Sequence, residues 1–559
     1  MVRHCLAKDG LAKCVFGKHP FAECSAKFVV FTALLAGTLV FLPRPTFAQA
    51  AYSPNQLLPL PQTAGNLPIS FIVRGLEPSN RTDNQGTIYV ATIRGVPGGV
   101  DLHRWSPVID GPPNANGTLP FRYLGQPDGC GIFATGCQNI GIAEGGGDVD
   151  IAVNSVTLPG VPNLGLTSLT LAPGITSTQS VNRGHTFSQP NPVTALIPGD
   201  DRQWMDGIGK STVYLSYHDV STFNIHVQRS SDGGATYASG AGEAIDAATF
   251  PAAGNVGATA TANLLGNIAI DKSNCTASRG NLYQIFTAPN SATENAAGNP
   301  MRSVYVGVSK DAKAGGPVFT FTDHKIFTGP TGKNMANIFP AIAVDKKGYV
   351  YAVWSDNSKI YFSSSRDQGT TWTPARIINQ GATLGMANVF PWVAADANGH
   401  VVVVWLGANR AGDSNNVSVM APCTSGSTTC MANWAKWRVY AAESVNGNED
   451  EVGPLDPAVF VQRIASDHVI HRGTVSTGGL GGSANRDLGD YFQVSLDPSH
   501  RANIASSDDH RVHPLCSSVT AGHCGADDPQ TLRLIRANFT RELRPIAGIV
   551  TSGVCFAEQ

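Results

Sequence analysis

The segment MANIFPAIAVDKKGYVYAVW, from Met335 to Trp354, returns 51 residues later as MANVFPWVAADANGHVVVVW, from Met386 to Trp405, with eleven of twenty positions identical. Such a repeat restricts the fold more than any bulk property. Each copy must be one supersecondary unit that buries its apolar side against its neighbours. Each reads as a strand, an Asp-x-x-Gly turn and a second strand ending in tryptophan, which is a hairpin. Weaker copies stand at 77–91, 148–153, 201–217, 267–286 and 489–505, giving seven units in all. Their spacing of about 50 to 80 residues fits propeller blades with loop insertions better than a sandwich. Composition agrees: 60 glycines and 35 prolines in 559 residues, with 14% charged, suit a turn-rich all-β chain. A formal net charge of −2 without a basic stripe argues against nucleic acid as a partner.

A second motif marks the outer half of the units. Ser365-Arg-Asp-Gln-Gly-Thr-Thr-Trp372 and Ser230-Ser-Asp-Gly-Gly-Ala-Thr-Tyr237 are complete copies, and Ser180-Val-Asn-Arg-Gly-His-Thr-Phe187 has Asn for Asp. Ser309-Lys-Asp311 reads as a fourth, with an insertion before Phe319. The Asp or Asn caps backbone N–H groups, the glycine takes a conformation costly to other residues, and the aromatic ring packs into the sheet. These Asp boxes resemble those of the sialidase-like (BNR/Asp-box repeat) β-propeller superfamily. The resemblance implies an all-β, six- or seven-bladed β-propeller of four-stranded antiparallel blades. It makes Asp232 and Asp367 structural, since the family's Asp boxes lie away from the ligand face.

The N-terminus reads as a targeting segment: Lys13, Lys18 and Lys27, the apolar run Phe28 to Pro43, then Ala48-Gln49-Ala50. The run is short for a membrane span. A signal peptide over 1–50 is expected, followed by an extension at 51–70, the propeller at 71–545 and a tail at 546–559. The expected location is secreted, periplasmic or extracellular, with no membrane span in the mature chain, and the expected state is a monomer. Eight cysteines follow residue 50, with Cys130/Cys137, Cys423/Cys430 and Cys516/Cys524 spaced for loop-pinning disulfides. Cys275 and Cys555 are left to pair or stay free. None of these spacings is the C-x₂-C that grips zinc.

In propellers of this kind ligands bind over the channel, where inner strands begin and second strands end. The repeats put Glu77, Asp148, Asp201, Arg202, Asp490 and Tyr491 at inner-strand starts, and Arg94, Asp219, Asp356, Arg410, Asp508, Asp509 and Arg511 at second-strand ends. Sialidases hold the sugar carboxylate with three arginines and attack with a tyrosine assisted by a glutamate, an aspartate serving as acid/base. By resemblance, Arg94, Arg410 and Arg511 are the substrate-binding arginines, Tyr491 the nucleophile, and Asp148 or Asp201 the acid. The Arg-Ile-Pro motif that supplies the family's first arginine is absent; the nearest segment is Phe71-Ile-Val-Arg-Gly75. The expected function is therefore a secreted propeller acting on a glycan or glycoconjugate, as an exo-sialidase-type glycoside hydrolase. The alternative is a non-catalytic glycan- or protein-binding propeller of the cell envelope. No cofactor is expected; a structural calcium on the Asp-rich loops is compatible with their oxygen ligands.

Overall fold

The computed structural model describes residues 52–551, except 60–72, 130–144, 158, 171–173, 194–199, 220–221, 239, 241, 253–261, 274–276, 424–429, 450–456, 480–481, 521, 526 and 529. Seven antiparallel sheets form a ring. Their innermost strands are Leu76–Thr82, Val149–Val153, Asp201–Ile208, Leu264–Ile270, Ala341–Val344, Asn388–Ala395 and Gln493–Leu496, one for each blade, 1 to 7. Each packs beside the next in this order, and Gln493–Leu496 packs beside Leu76–Thr82 to close the circle. The fold is a seven-bladed β-propeller of four-stranded blades, with one extra short strand in each of blades 6 and 7.

Second strands show why the ring forms. Val401–Ala408, VVVVWLGA, is buried at every position, because its sheet has another blade on each face. Ile88–Ile93 and Val350–Ser355 are likewise buried throughout. A strand covered on both faces reads as a continuous apolar run instead of an alternating one.

Ring closure uses the chain's two ends. Gln56–Leu57 pairs antiparallel with Arg533–Arg541 as the outermost strand of blade 7. The Ser53 amide continues the ladder by donating to the Arg541 carbonyl at 2.7 Å. Residues read from sequence as an extension thus complete the last blade and cover the sheet edge that would otherwise stand open.

The Asp boxes sit between third and outer strands. Asp367 accepts from the Ser365 hydroxyl at 2.9 Å, the Thr371 amide at 2.8 Å and the Thr371 hydroxyl at 2.7 Å. Asp232 repeats the pattern with Thr236, and Asn182 accepts from the Thr186 amide while its own Nδ2 donates to the Thr186 hydroxyl. Asp311 reaches across its insertion to the Thr320 amide and hydroxyl, at 3.0 and 2.9 Å. Asp367→Ala is expected to cost about 1.5–3 kcal/mol, the range for hydrogen bonds to a charged group. Urea unfolding checks this through a lower midpoint at unchanged slope.

Cys423–Cys430 and Cys516–Cys524 are disulfides, as their spacing suggests. Cys130, Cys137, Cys275, Cys555 and residues 1–50, where a signal peptide is expected, lie outside the described residues. No helix among the described residues is long and apolar enough to cross a membrane.

Candidate functional site at the channel mouth

The inner strands of blades 1, 3, 4 and 6 each begin with a register shift, between Leu76/Ser79, Asp201/Gln203, Leu265/Ile268 and Val389/Trp392. Within three of these bulges a non-glycine residue takes positive φ: Glu77 at 48°, Arg202 at 52° and Phe390 at 58°. Bulges re-aim side chains, and strained backbone of this kind concentrates at functional sites. Here they bring Glu77 and Arg202 together across the mouth.

Arg202 is the centre of the site. Its Nη1 lies 3.1 Å from Glu77 Oε2, and its Nη2 lies 3.1 Å from Asp148 Oδ1 and 3.0 Å from Asp490 Oδ2. Arg486 Nη2 adds a second cation to Asp490 Oδ2 at 2.9 Å, and the Asp490 amide donates to Glu77 Oε1 at 3.0 Å. All four central residues are buried. Gly489, at φ 71°, makes the approach of Glu77 feasible: a Cβ there would meet Glu77 Cγ at 2.3 Å. Beneath the ion cluster an aromatic floor closes the channel. The guanidinium of Arg202 stands 4.7 Å from the Phe339 ring centre and 5.2 Å from that of Tyr491. Trp204 packs on Tyr491, Trp392 and Phe339 at 4.9, 5.2 and 5.6 Å.

Above the floor opens a cavity of about 360 Å³, lined by Asp201, Arg202, His218, Asn263, Asn334, Phe339 and Asp490 among others. Burial pushes the Asp490 carboxyl up from the ordinary carboxylate range and the Glu77 charge adds to this, while Arg202 and Arg486 oppose it. Burial raises Asp148 well above that range; Arg202 opposes the rise and Glu77 reinforces it. Asp490 Oδ1 is buried and has no hydrogen-bond partner among the described residues. A buried carboxyl held toward its protonated form, in a residue that lines a cavity, is equipped to hand over a proton.

The residues expected from sequence are distributed differently from the family pattern. Asp148, Asp201 and Tyr491 do meet at the mouth. Tyr491 faces inward, however: its hydroxyl donates to the Val149 carbonyl, and burial drives the phenol well above its usual pKa, the reverse of what a nucleophile needs. The three arginines are each engaged within their own blades. Arg94 is bidentate on Asp101 at 2.6 and 2.8 Å. Arg410 donates to the carbonyls of Val419 and Asn433 at 2.8 and 2.7 Å. Arg511 Nε lies 3.2 Å from Asp508 Oδ2. The guanidinium beside Tyr491 is instead Arg202, and the carboxyls that line the cavity are Asp201 and Asp490. All three carry a sequence signal, their place at inner-strand starts.

No protein-family model matches the sequence, and no curated protein matches it. Among solved structures the chain is similar to an alpha-L-arabinofuranosidase from Fusarium graminearum, at 12% identity over 64% of this chain and 94% of that one, with a TM-score of 0.38. It is similar to a leech intramolecular trans-sialidase at 10% identity, over 86% and 69% of the two chains, with a TM-score of 0.36. An ulvan lyase matches at 9% identity over 88% and 99%, with a TM-score of 0.40. Likeness at this level carries no argument about chemistry, and the seven-bladed propeller rests on the chain's own sheet order.

Proposed function

We propose that the protein is a secreted propeller that cleaves glycosidic bonds at the Arg202 mouth, with Asp490 as general acid. The observation that carries this reading is Asp490, a buried carboxyl with one unpartnered oxygen, in the lining of a cavity large enough for a sugar unit. In its protonated form Asp490 donates to the leaving-group oxygen. Asp201, exposed on the same cavity, is the second carboxylate, which stabilises the oxocarbenium-like transition state or activates water. Asp148 and Glu77 hold Arg202 in place beneath Asp490. Asn263 and Asn334, which line the cavity, supply polar contacts of the kind that sugars use. The two disulfides fit an oxidising compartment.

Charge narrows the substrate. Glu77, Asp148, Asp201 and Asp490 outnumber Arg202 and Arg486, and Arg202 already sits on three of these carboxylates. A sialic acid carboxylate entering here meets like charge, so a neutral or amino sugar is the better fit. The rival reading, a non-catalytic glycan- or protein-binding propeller, is favoured by the structural commitments of Tyr491 and the three arginines. A panel of fluorogenic glycosides separates the readings. Release from a neutral or amino glycoside is expected, and none from a sialoside. Glycan binding without turnover would establish the rival, and turnover of sialosides alone would refute the charge argument.

A further inference from the structure

The turns that join first to second strands repeat one device on the opposite face of the ring, the face that also carries the Asp boxes. In three of them an aspartate caps its own turn through a single oxygen. Asp83 Oδ1 accepts from the amides of Gln85 and Thr87 at 2.9 and 2.8 Å. Asp345 Oδ1 does so with Lys347 and Tyr349 at 2.8 and 3.0 Å, and Asp497 Oδ1 with Ser499 and Arg501 at 2.8 and 3.1 Å. Blade 6 departs from this. Asp396 keeps only the adjacent Ala397 amide and turns its two oxygens to two imidazoles. Its Oδ1 stands 2.6 Å from His400 Nδ1, and its Oδ2 stands 2.7 Å from His500 Nδ1 of blade 7.

A second departure concerns His500 itself. It occupies the fourth position of the blade 7 turn at φ 65°, where the equivalent residues are glycines: Gly86 at 82°, Gly348 at 83° and Gly399 at 75°. A side chain in the left-handed region is strained, and such strain persists where the side chain serves a purpose. The purpose visible here is to bring a ring nitrogen to Asp396. His400 is fully buried, and its far nitrogen, Nε2, lies 3.0 Å from Glu443 Oε1. A carboxylate behind an imidazole fixes its tautomer and orientation, as it does behind metal-bound histidines.

We propose that Asp396, His400 and His500 bind one divalent transition-metal ion of the zinc class, tying blade 6 to blade 7. Their ligand atoms lie within 4.8 Å of one another, the one such group of three among the described residues. Two imidazoles and one carboxylate are the donor set of zinc and its neighbours, not of calcium, which takes oxygens. Bonds of about 2.0–2.1 Å to these atoms set them about 3.3 Å apart in a tetrahedron. The two His–Asp contacts, at 2.6 and 2.7 Å, therefore widen by about 0.6–0.7 Å as metal replaces the bridging protons, and any pair of these atoms farther apart than about 3.3 Å draws in. Asp396 also lines a separate cavity of about 210 Å³, with Arg81, Lys272 and Trp392, which opens one side of the cluster.

Zinc alone is the probe. Chelator-stripped, full-length protein is titrated with zinc against a chromophoric chelator, and with cobalt(II), whose visible absorption reports its coordination. One ion per chain is expected, with a rise in melting temperature. His500→Gly restores the residue that sibling turns use, so it removes a ligand while favouring the turn's backbone; Asp396→Asn keeps the shape and removes the charge. Both variants are expected to lose the high-affinity ion, its cobalt spectrum and the zinc-dependent rise in melting temperature. No uptake by the wild-type protein, or wild-type affinity in either variant, overturns the proposal.

Discussion

Replacing Arg202 by methionine is expected to lower folding stability by about 3–5 kcal/mol, the cost of removing one partner from a buried ion cluster. Methionine keeps much of the stem that packs over Phe339 and Tyr491 but leaves Glu77, Asp148 and Asp490 facing one another without the central cation. The loss has a pH signature. Asp148 and Asp490 already have raised pKa values in the folded chain, with Arg202 opposing the rise in both. A carboxyl whose folded pKa is raised binds its proton more readily in the native state. Its stabilising contribution is therefore complete at low pH and is lost as pH rises from the unfolded value through the folded one. Without Arg202 that window moves higher. The deficit of Arg202→Met against wild type should be smallest in acid and grow toward neutral pH. Chemical denaturation at several pH values measures it. A deficit below about 1 kcal/mol, typical of surface pairs, or one flat with pH, would show that the cluster does not depend on its arginine.

The ring was legible because its signals are local. All seven repeat units found in the sequence coincide with or overlap the inner strands, since Asp-x-x-Gly turns and doubly covered strands leave their mark within twenty residues. What the site does was far less legible. The contact between the Asp490 amide and Glu77 spans 413 positions and exists only once blade 7 meets blade 1. Arg94 stands at a strand end as expected, yet Asp101, seven residues on and opposite Thr92 in the next strand, captures it. Tyr491 and Asp490 are adjacent in the segment that leads into the blade 7 inner strand, yet Tyr491 packs in the aromatic core and Asp490 lines the cavity. The sequence showed that pair but not which member lines the cavity. The bulges that turn Glu77 and Arg202 into the mouth have no glycine at the positive-φ position to announce them.

Asp490→Asn is expected to reduce kcat by about 10²–10⁴-fold, the usual contribution of a positioned general acid, while leaving glycan affinity nearly unchanged. Asparagine preserves size and offers its carbonyl to Arg202 and Arg486, so the cluster keeps its geometry and only the transferable proton is lost. Leaving-group chemistry separates this from a structural effect. A glycoside with a dinitrophenolate leaving group needs no protonation, so its turnover should fall far less than that of an alkyl glycoside. A merely distorted site would slow both alike. The pH profile gives the sign. Because burial and Glu77 hold Asp490 toward its acid form, wild-type activity should persist above the ordinary carboxylate range and decline as pH rises through the raised pKa. That alkaline limb should vanish in Asp490→Asn. An unchanged limb in the variant would move the acid to Asp148, whose carboxyl is raised by the same burial, and would recast Asp490 as the residue that positions Arg202.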